Sequence, residues 1–233
     1  MPGDLADAVA RLMVAAGQAG DAQQGYEYAL TARKLAARVG IVRETCGIAA
    51  YRAQRWAEAL AELRAARRIT GQGSYLPLMA DCERALGRPE RALELVTGPQ
   101  VADLDRQTQI ELRIVESGIR RDQGFPEAGV VALQVPELTD GRRRPGSARL
   151  FYAYADALAD ASRLDEARHW FARAAEADTD GDLDAAERVD ELDLAGFDDL
   201  AAGDAGDDDG AGDDDAGDDD AGDDDGSAAP GNL

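Results

Sequence analysis

Histidine, lysine and cysteine are nearly missing from these 233 residues: the chain holds His169, Lys34, Cys46 and Cys82, and no others. One histidine and two distant cysteines supply no zinc ligand set and no Ser-His-Asp arrangement. Two thiols also exclude a disulfide scaffold, and both are expected as buried, reduced side chains of a cytoplasmic protein. No stretch approaches eighteen uncharged apolar residues, so a membrane-spanning helix is excluded. The chain reaches Arg11 before any long apolar run, and no signal peptide is expected at its start. Gly-x-x-x-x-Gly-Lys-Ser/Thr and Gly-x-Gly-x-x-Gly loops are absent, which removes the usual phosphate cradles. The reading is of a protein that is not an enzyme.

Positive charge runs out before the chain does. All 25 Lys and Arg lie at or before Arg188, whereas 18 of the 47 acids follow it. Residues 1–188 therefore carry 29 acids against 25 bases, a net of −4, and the last 45 residues carry −18. Fifteen aspartates fall between Asp198 and Asp225, spaced mostly by Ala and Gly. Such a segment has no apolar burial to offset its ordering entropy, and residues 198–233 are predicted to be a disordered acidic tail. Such a tail is expected to act as a solubiliser, or to mimic nucleic-acid phosphate, or to engage a basic partner or the body's own arginines.

Over residues 4–195, alanine, leucine, arginine and glutamate dominate, and apolar positions recur at three and four rather than two. Small residues that let a second helix sit against a first recur at Gly25, Ala59, Ala92, Ala128 and Ala167, at spacings of 34, 33, 36 and 39. Ala59, Leu63 and Ala66, and likewise Ala167, Phe171 and Ala174, place small, bulky and small side chains on one helix face. Phe151, Tyr154, Ala155 and Leu158 fit the facing first helix. Gly20, Gly87, Pro89, Gly124 and Pro126 mark where second helices begin. Gly98-Pro99 and Val135-Pro136 cut the second helices of the third and fourth units short.

This pattern resembles the tetratricopeptide-repeat (TPR) family, and the chain looks like the TPR proteins of high-GC bacteria. The resemblance implies an all-α, right-handed solenoid of about five helix pairs, with units near 6–39, 40–73, 74–106, 107–145 and 146–180. A capping helix at 184–195 and the acidic tail follow. It also implies a scaffold that binds a protein or peptide segment on the concave face lined by first helices. The side chains expected there are Ile41, Glu44, Ile48, Tyr51, Arg52, Asp81, Arg84, Arg113, Arg120, Arg149, Tyr152 and Asp156.

Two alternatives come from other classes. Residues 176–187 can be laid on a twelve-residue calcium loop, with Glu176, Asp178, Asp180, Asp182, Asp184 and Glu187 as oxygen donors and Gly181 at the sharp turn. Glu176 stands where such loops favour aspartate. Arg142-Arg143-Arg144 is a small basic run, but on a near-neutral body with an anionic tail it does not predict direct nucleic-acid binding. Apart from that calcium reading, no cofactor is expected.

Overall fold

The computed structural model describes the backbone of residues 3–203 and side chains as far as Leu194. Among the described residues there are eleven α-helices and no strand. Ten of them pair in sequence: α1 (Gly3–Gln18) with α2 (Ala22–Leu35), α3 (Gly40–Arg52) with α4 (Trp56–Thr70), and α5 (Leu76–Ala85) with α6 (Pro89–Thr97). Then α7 (Arg106–Asp122) pairs with α8 (Pro126–Ala132), and α9 (Ser147–Asp160) with α10 (Leu164–Ala177). Each pair packs on the next, giving a TPR-like solenoid of five helix pairs that ends in α11 (Ala185–Gly203). These pairs lie in one compact unit, Met1–Asp193, and a second begins at Leu194.

One turn, used four times, sets the register. Each of the last four first helices ends on a left-handed residue: Gln54, Gly87, Gly124 and Ser162, with φ of 55, 70, 81 and 60°. The next residue, Arg55, Arg88, Phe125 or Arg163, is neither helical nor fully extended, with ψ of 68, 61, 66 and 63°, and donates its N–H five residues back, for example Arg55 to Ala50 at 2.8 Å and Arg163 to Leu158 at 2.9 Å. The left-handed residue itself donates three residues back, as Gln54 does to Tyr51 at 2.9 Å. These paired bonds satisfy the carbonyls that a helix end leaves open. That residue's own carbonyl accepts the first bond of the second helix, so that helix starts at a fixed angle. Pro89 and Pro126 occupy first-turn positions, where a missing N–H costs nothing.

Five residues after each left-handed residue sits a buried small side chain: Ala59, Ala92, Gly129 and Ala167. The sequence points to Ala128 for the fourth unit; the structure corrects this to Gly129, because Ala128 is exposed. A Cβ at Gly129 would lie 3.1 Å from the Ser117 carbonyl oxygen and 2.8 Å from Arg121 Cγ. The helices approach there as only glycine permits.

Gln54 and Ser162 hold a backbone conformation that costs a side-chain-bearing residue about 1–2 kcal/mol. Gln54→Gly and Ser162→Gly are each expected to stabilise the fold by about 0.5–1 kcal/mol, after subtracting glycine's extra chain entropy. Thermal midpoints check this, and a lower midpoint for both variants would contradict the role given to the turn.

The Gly-Pro and Val-Pro breaks act as the sequence indicates. Helices α6 and α8 run only nine and seven residues and give way to 3₁₀ turns at Pro99–Asp103 and Pro136–Leu138. Phe171 is fully buried, whereas Trp56 and Trp170 are half-buried. Cys46 and Cys82 are buried, and burial pushes their thiols up to about 11 and about 12, which keeps both protonated at neutral pH.

At the C-terminal end, α11 extends to Gly203. The helix thus runs into the first residues of the predicted tail, 198–203, where Leu200, Ala201 and Ala202 favour helix between the acids. The remainder of the predicted tail, 204–233, lies outside the described residues. No described helix is long and apolar enough to cross a membrane.

Candidate functional site

The turn register also says which side chains share a face. Positions 13, 10, 6 and 3 before the left-handed residue fall on one face of a first helix, since the 3-and-4 spacing follows the helical period. On α3 these are Ile41, Glu44, Ile48 and Tyr51; on α5, Pro77, Asp81 and Arg84, with Ser74 in the turn before it. On α7 they are Glu111, Ile114, Gly118 and Arg121; on α9, Arg149, Tyr152, Asp156 and Ala159.

Tyr51, Ser74, Pro77, Asp81, Arg84, Glu111, Ile114 and Arg149 of these rows line a cleft of about 490 Å³, whereas Ile41, Glu44 and Ile48 lie outside it. Pro77, Leu78, Ile114 and Val115 form an apolar floor, with the Tyr51 ring at one end. Asp81, Arg84, Glu111 and Arg149 form a polar rim. Of the residues singled out from the sequence, Tyr51, Asp81, Arg84 and Arg149 come together here. Arg149 has a side chain 63% exposed and is paired with Glu111 at 3.1 Å.

Most charges along this face are already engaged, and they join one unit to the next. The Tyr51 hydroxyl donates to Asp81 at 2.5 Å, and burial together with that carboxylate pushes the phenol up from its ordinary value. Arg84 donates to Asp81 at 3.0 Å and to Asp122 at 2.6 Å. Its guanidinium lies against bare backbone at Gly118, where a Cβ would stand 2.9 Å from Arg84 Cζ. Arg121 donates to Asp156 at 2.6 Å and Asp160 at 2.5 Å, and Arg188 of α11 reaches Asp156 at 3.2 Å. Glu44 accepts from the Tyr75 hydroxyl at 2.8 Å. Asp156 and Glu44 are therefore fasteners between neighbouring elements. Tyr152 packs edge-on against Phe171 at 5.2 Å, Ile48 is half-buried on α3, and Arg52 is exposed with no ion-pair partner among the described residues.

Arg113 and Arg120 go elsewhere. They line a shallow depression against the short α8 with Glu116, Glu127 and Val131, and Arg113 pairs with Glu116 at 2.9 Å. From α7 the cleft is faced by Glu111, Ile114 and Val115, and Ile114 lies one position beyond Arg113, as Arg121 lies one beyond Arg120. Anchoring the fourth unit on Ala128 instead of Gly129 produces this one-residue slip, and on a helix one residue turns a side chain by about 100°.

The 176–187 loop turns at Gly181 with φ of 69°. Asp178 Oδ1 accepts from the Asp182 N–H at 3.2 Å, and Oδ2 from the Leu183 N–H at 2.8 Å. Its carboxylate thus closes the loop on itself, in the manner of an Asx cap. Glu176 pairs outward with Arg143 at 3.4 Å. Among the described residues, no three acidic, His or Cys side chains converge on a metal-sized point, so Asp180, Asp182, Asp184 and Glu187 do not gather around one centre. Calcium titration calorimetry on the full chain and on an Asp180→Asn/Glu187→Gln variant is expected to give superimposable heats. A saturable component present only in the unsubstituted chain would establish the calcium reading.

No protein-family model matches the chain, and no curated protein matches it. Among solved structures it is similar to YrrB, described as a TPR protein with an unusual peptide-binding site, at 16% identity and a TM-score of 0.44. That similarity covers 76% of this chain and 84% of YrrB. It is also similar to Naa15/Naa10 bound to HypK-THB, at 15% identity and a TM-score of 0.36, covering 86% of this chain and 37% of that one. The TPR-like assignment stands on the chain's own helix order, its four left-handed turns and its small-residue spacing.

Proposed function

We propose that this chain is a non-enzymatic adaptor that holds a peptide segment of a partner protein in the cleft between α5 and α7. One observation carries the reading. Four consecutive first helices contribute to a single cleft whose floor is apolar and whose rim is polar. Such a site takes one large apolar side chain, whose burial contributes about 1.5–3 kcal/mol, while the flanking backbone meets the rim. Rim charges that are already paired fix the shape of the cleft before binding, which lowers the ordering cost. Asp81 beside Arg84 and Glu111 beside Arg149 give the rim both signs, so the ligand is selected by its apolar anchor and not by a net charge.

The test begins with selection of peptides from a random display library on the full chain. Their affinities are then measured for the unsubstituted protein and for Leu78→Ser and Arg149→Glu variants. Leu78→Ser is expected to weaken binding at least about tenfold, equivalent to about 1.4 kcal/mol, and Arg149→Glu to shift it less. Circular dichroism confirms that both variants stay folded. Selected peptides that bind both variants as tightly as the unsubstituted chain would remove the cleft as the site.

A further inference from the structure

A second surface lies at the edge formed by the α2–α3 turn and the last turn of α4. Leu35, Val39, Ile41 and Ile69 are 46, 37, 58 and 50% exposed there. Gly40 lets the end of α4 close on this turn, since a Cβ at Gly40 would lie 2.5 Å from Thr70 Cγ2 and 3.3 Å from Ile69 Cγ2. Lys34, Arg38 and Arg68 are exposed around it and have no ion-pair partner among the described residues. Glu62, the carboxylate on the adjoining α4 face, is already held between Arg33 at 3.3 Å and Arg43 at 2.6 Å.

Basic residues in the last turns of α2 and α4 offset the helix dipoles, which accounts for Lys34 and Arg68. It does not account for Arg38, which lies in the turn, nor for four large apolar side chains facing water. Exposed apolar patches rimmed by polar residues mark interaction sites, and the polar groups here are three cations. We propose that this edge docks an amphipathic helix of a partner protein, with an apolar ridge against Val39 and Ile69 and an acidic polar face toward Lys34, Arg38 and Arg68.

An amphipathic helix supplies an apolar ridge at i, i+3 and i+4 beside a polar face, which complements exposed apolar side chains flanked by cations. Its acidic groups act locally, because charge is screened beyond about 8 Å at physiological salt. An anionic bilayer would confront the whole chain, whose net charge is −22, with an extended field of the same sign. The surface is distinct from the α5–α7 cleft, and the proposal is independent of the function assigned to that cleft.

The probe is a synthetic helix of about 16 residues with leucine on one face and glutamate on the other, long enough to hold helical structure. Its controls are a scrambled peptide of the same composition and vesicles of phosphatidylcholine with phosphatidylserine. With the full chain, the amphipathic probe is expected to bind at least about tenfold more tightly than the scrambled one. A Val39→Ser/Ile69→Ser variant should lose that preference, and Arg38→Ala/Arg68→Ala should flatten the salt dependence. Leu78→Ser, in the cleft, should leave binding unchanged. Equal binding of the scrambled peptide, or binding indifferent to the serine pair, overturns the proposal. So would vesicle binding, or a concentration-dependent dimer, that the serine pair abolishes.

Discussion

Replacing Arg64 and Arg88 together by alanine is expected to destabilise the fold by about 3–5 kcal/mol, although each side chain is 45% exposed. The reason lies in their shared partner. Glu83 on α5 is fully buried, with its carboxylate held by Arg64 of α4 and by Arg88 at the start of α6, the latter at 3.3 Å. Without both guanidinium groups, a carboxylate would remain in the core with no cation to offset its lost hydration. Removing the carboxylate has the opposite consequence, since both arginines can return to water. Glu83 occupies the position held by Ala50 in the second unit and Leu158 in the fifth, four before the left-handed residue. Glu83→Leu alone is therefore expected to be nearly neutral, and adding it to the double alanine variant should restore most of the loss. Urea midpoints of the three variants measure this order. A double alanine variant as stable as the unsubstituted chain would show that Glu83 is solvated in some other way.

Gly129→Leu is expected to cost about 2–3 kcal/mol, while Ala128→Leu stays within about 0.5 kcal/mol. A side chain at 129 meets the Ser117 carbonyl and the Arg121 stem, neither of which can withdraw without moving α7 from α8. With only seven residues, α8 has little other packing to absorb that shift. At 128 the side chain projects to solvent. Thermal midpoints of the two variants decide between the registers, and the reverse order would mean the fourth unit is misaligned.

That contrast also marks how far the fold could be read from residue order. Small residues recurring near every 34 positions reveal the helix pairs, because close helix approach tolerates little else. In the fourth unit two small residues, Ala128 and Gly129, stand side by side, and spacing alone does not choose between them. The choice was still available in the sequence, since Gly124 lies five before Gly129 as Gly87 lies five before Ala92. Counting from Ala128 selects Arg113 and Arg120 in place of Ile114 and Arg121, and so passes over Ile114 of the cleft floor.

Ion pairs were less legible. Arg121 with Asp156, and Arg84 with Asp122, join residues 35 and 38 apart, and nothing in either local pattern shows that these charges face each other. Asp156 reads as a ligand-facing acid in sequence and is a fastener in structure. Glu83 left no signal either, because an apolar-periodicity reading expects a bulky apolar residue at its place. Pro77, Leu78 and Val115 carry no functional signal for a related cause: in sequence, the apolar floor of a cleft looks like ordinary packing, and only its charged and tyrosine neighbours stand out.

The claim that a peptide segment lies across the first helices is tested most directly by hydrogen exchange of the full chain with and without a display-selected peptide. Bound peptide should slow exchange in Leu76–Ala85 and in the first half of Arg106–Asp122, which carry the cleft floor, and leave Pro126–Ala132 and Leu164–Ala177 unchanged. Slowing confined to those second helices, or no slowing at saturating peptide, would contradict the account.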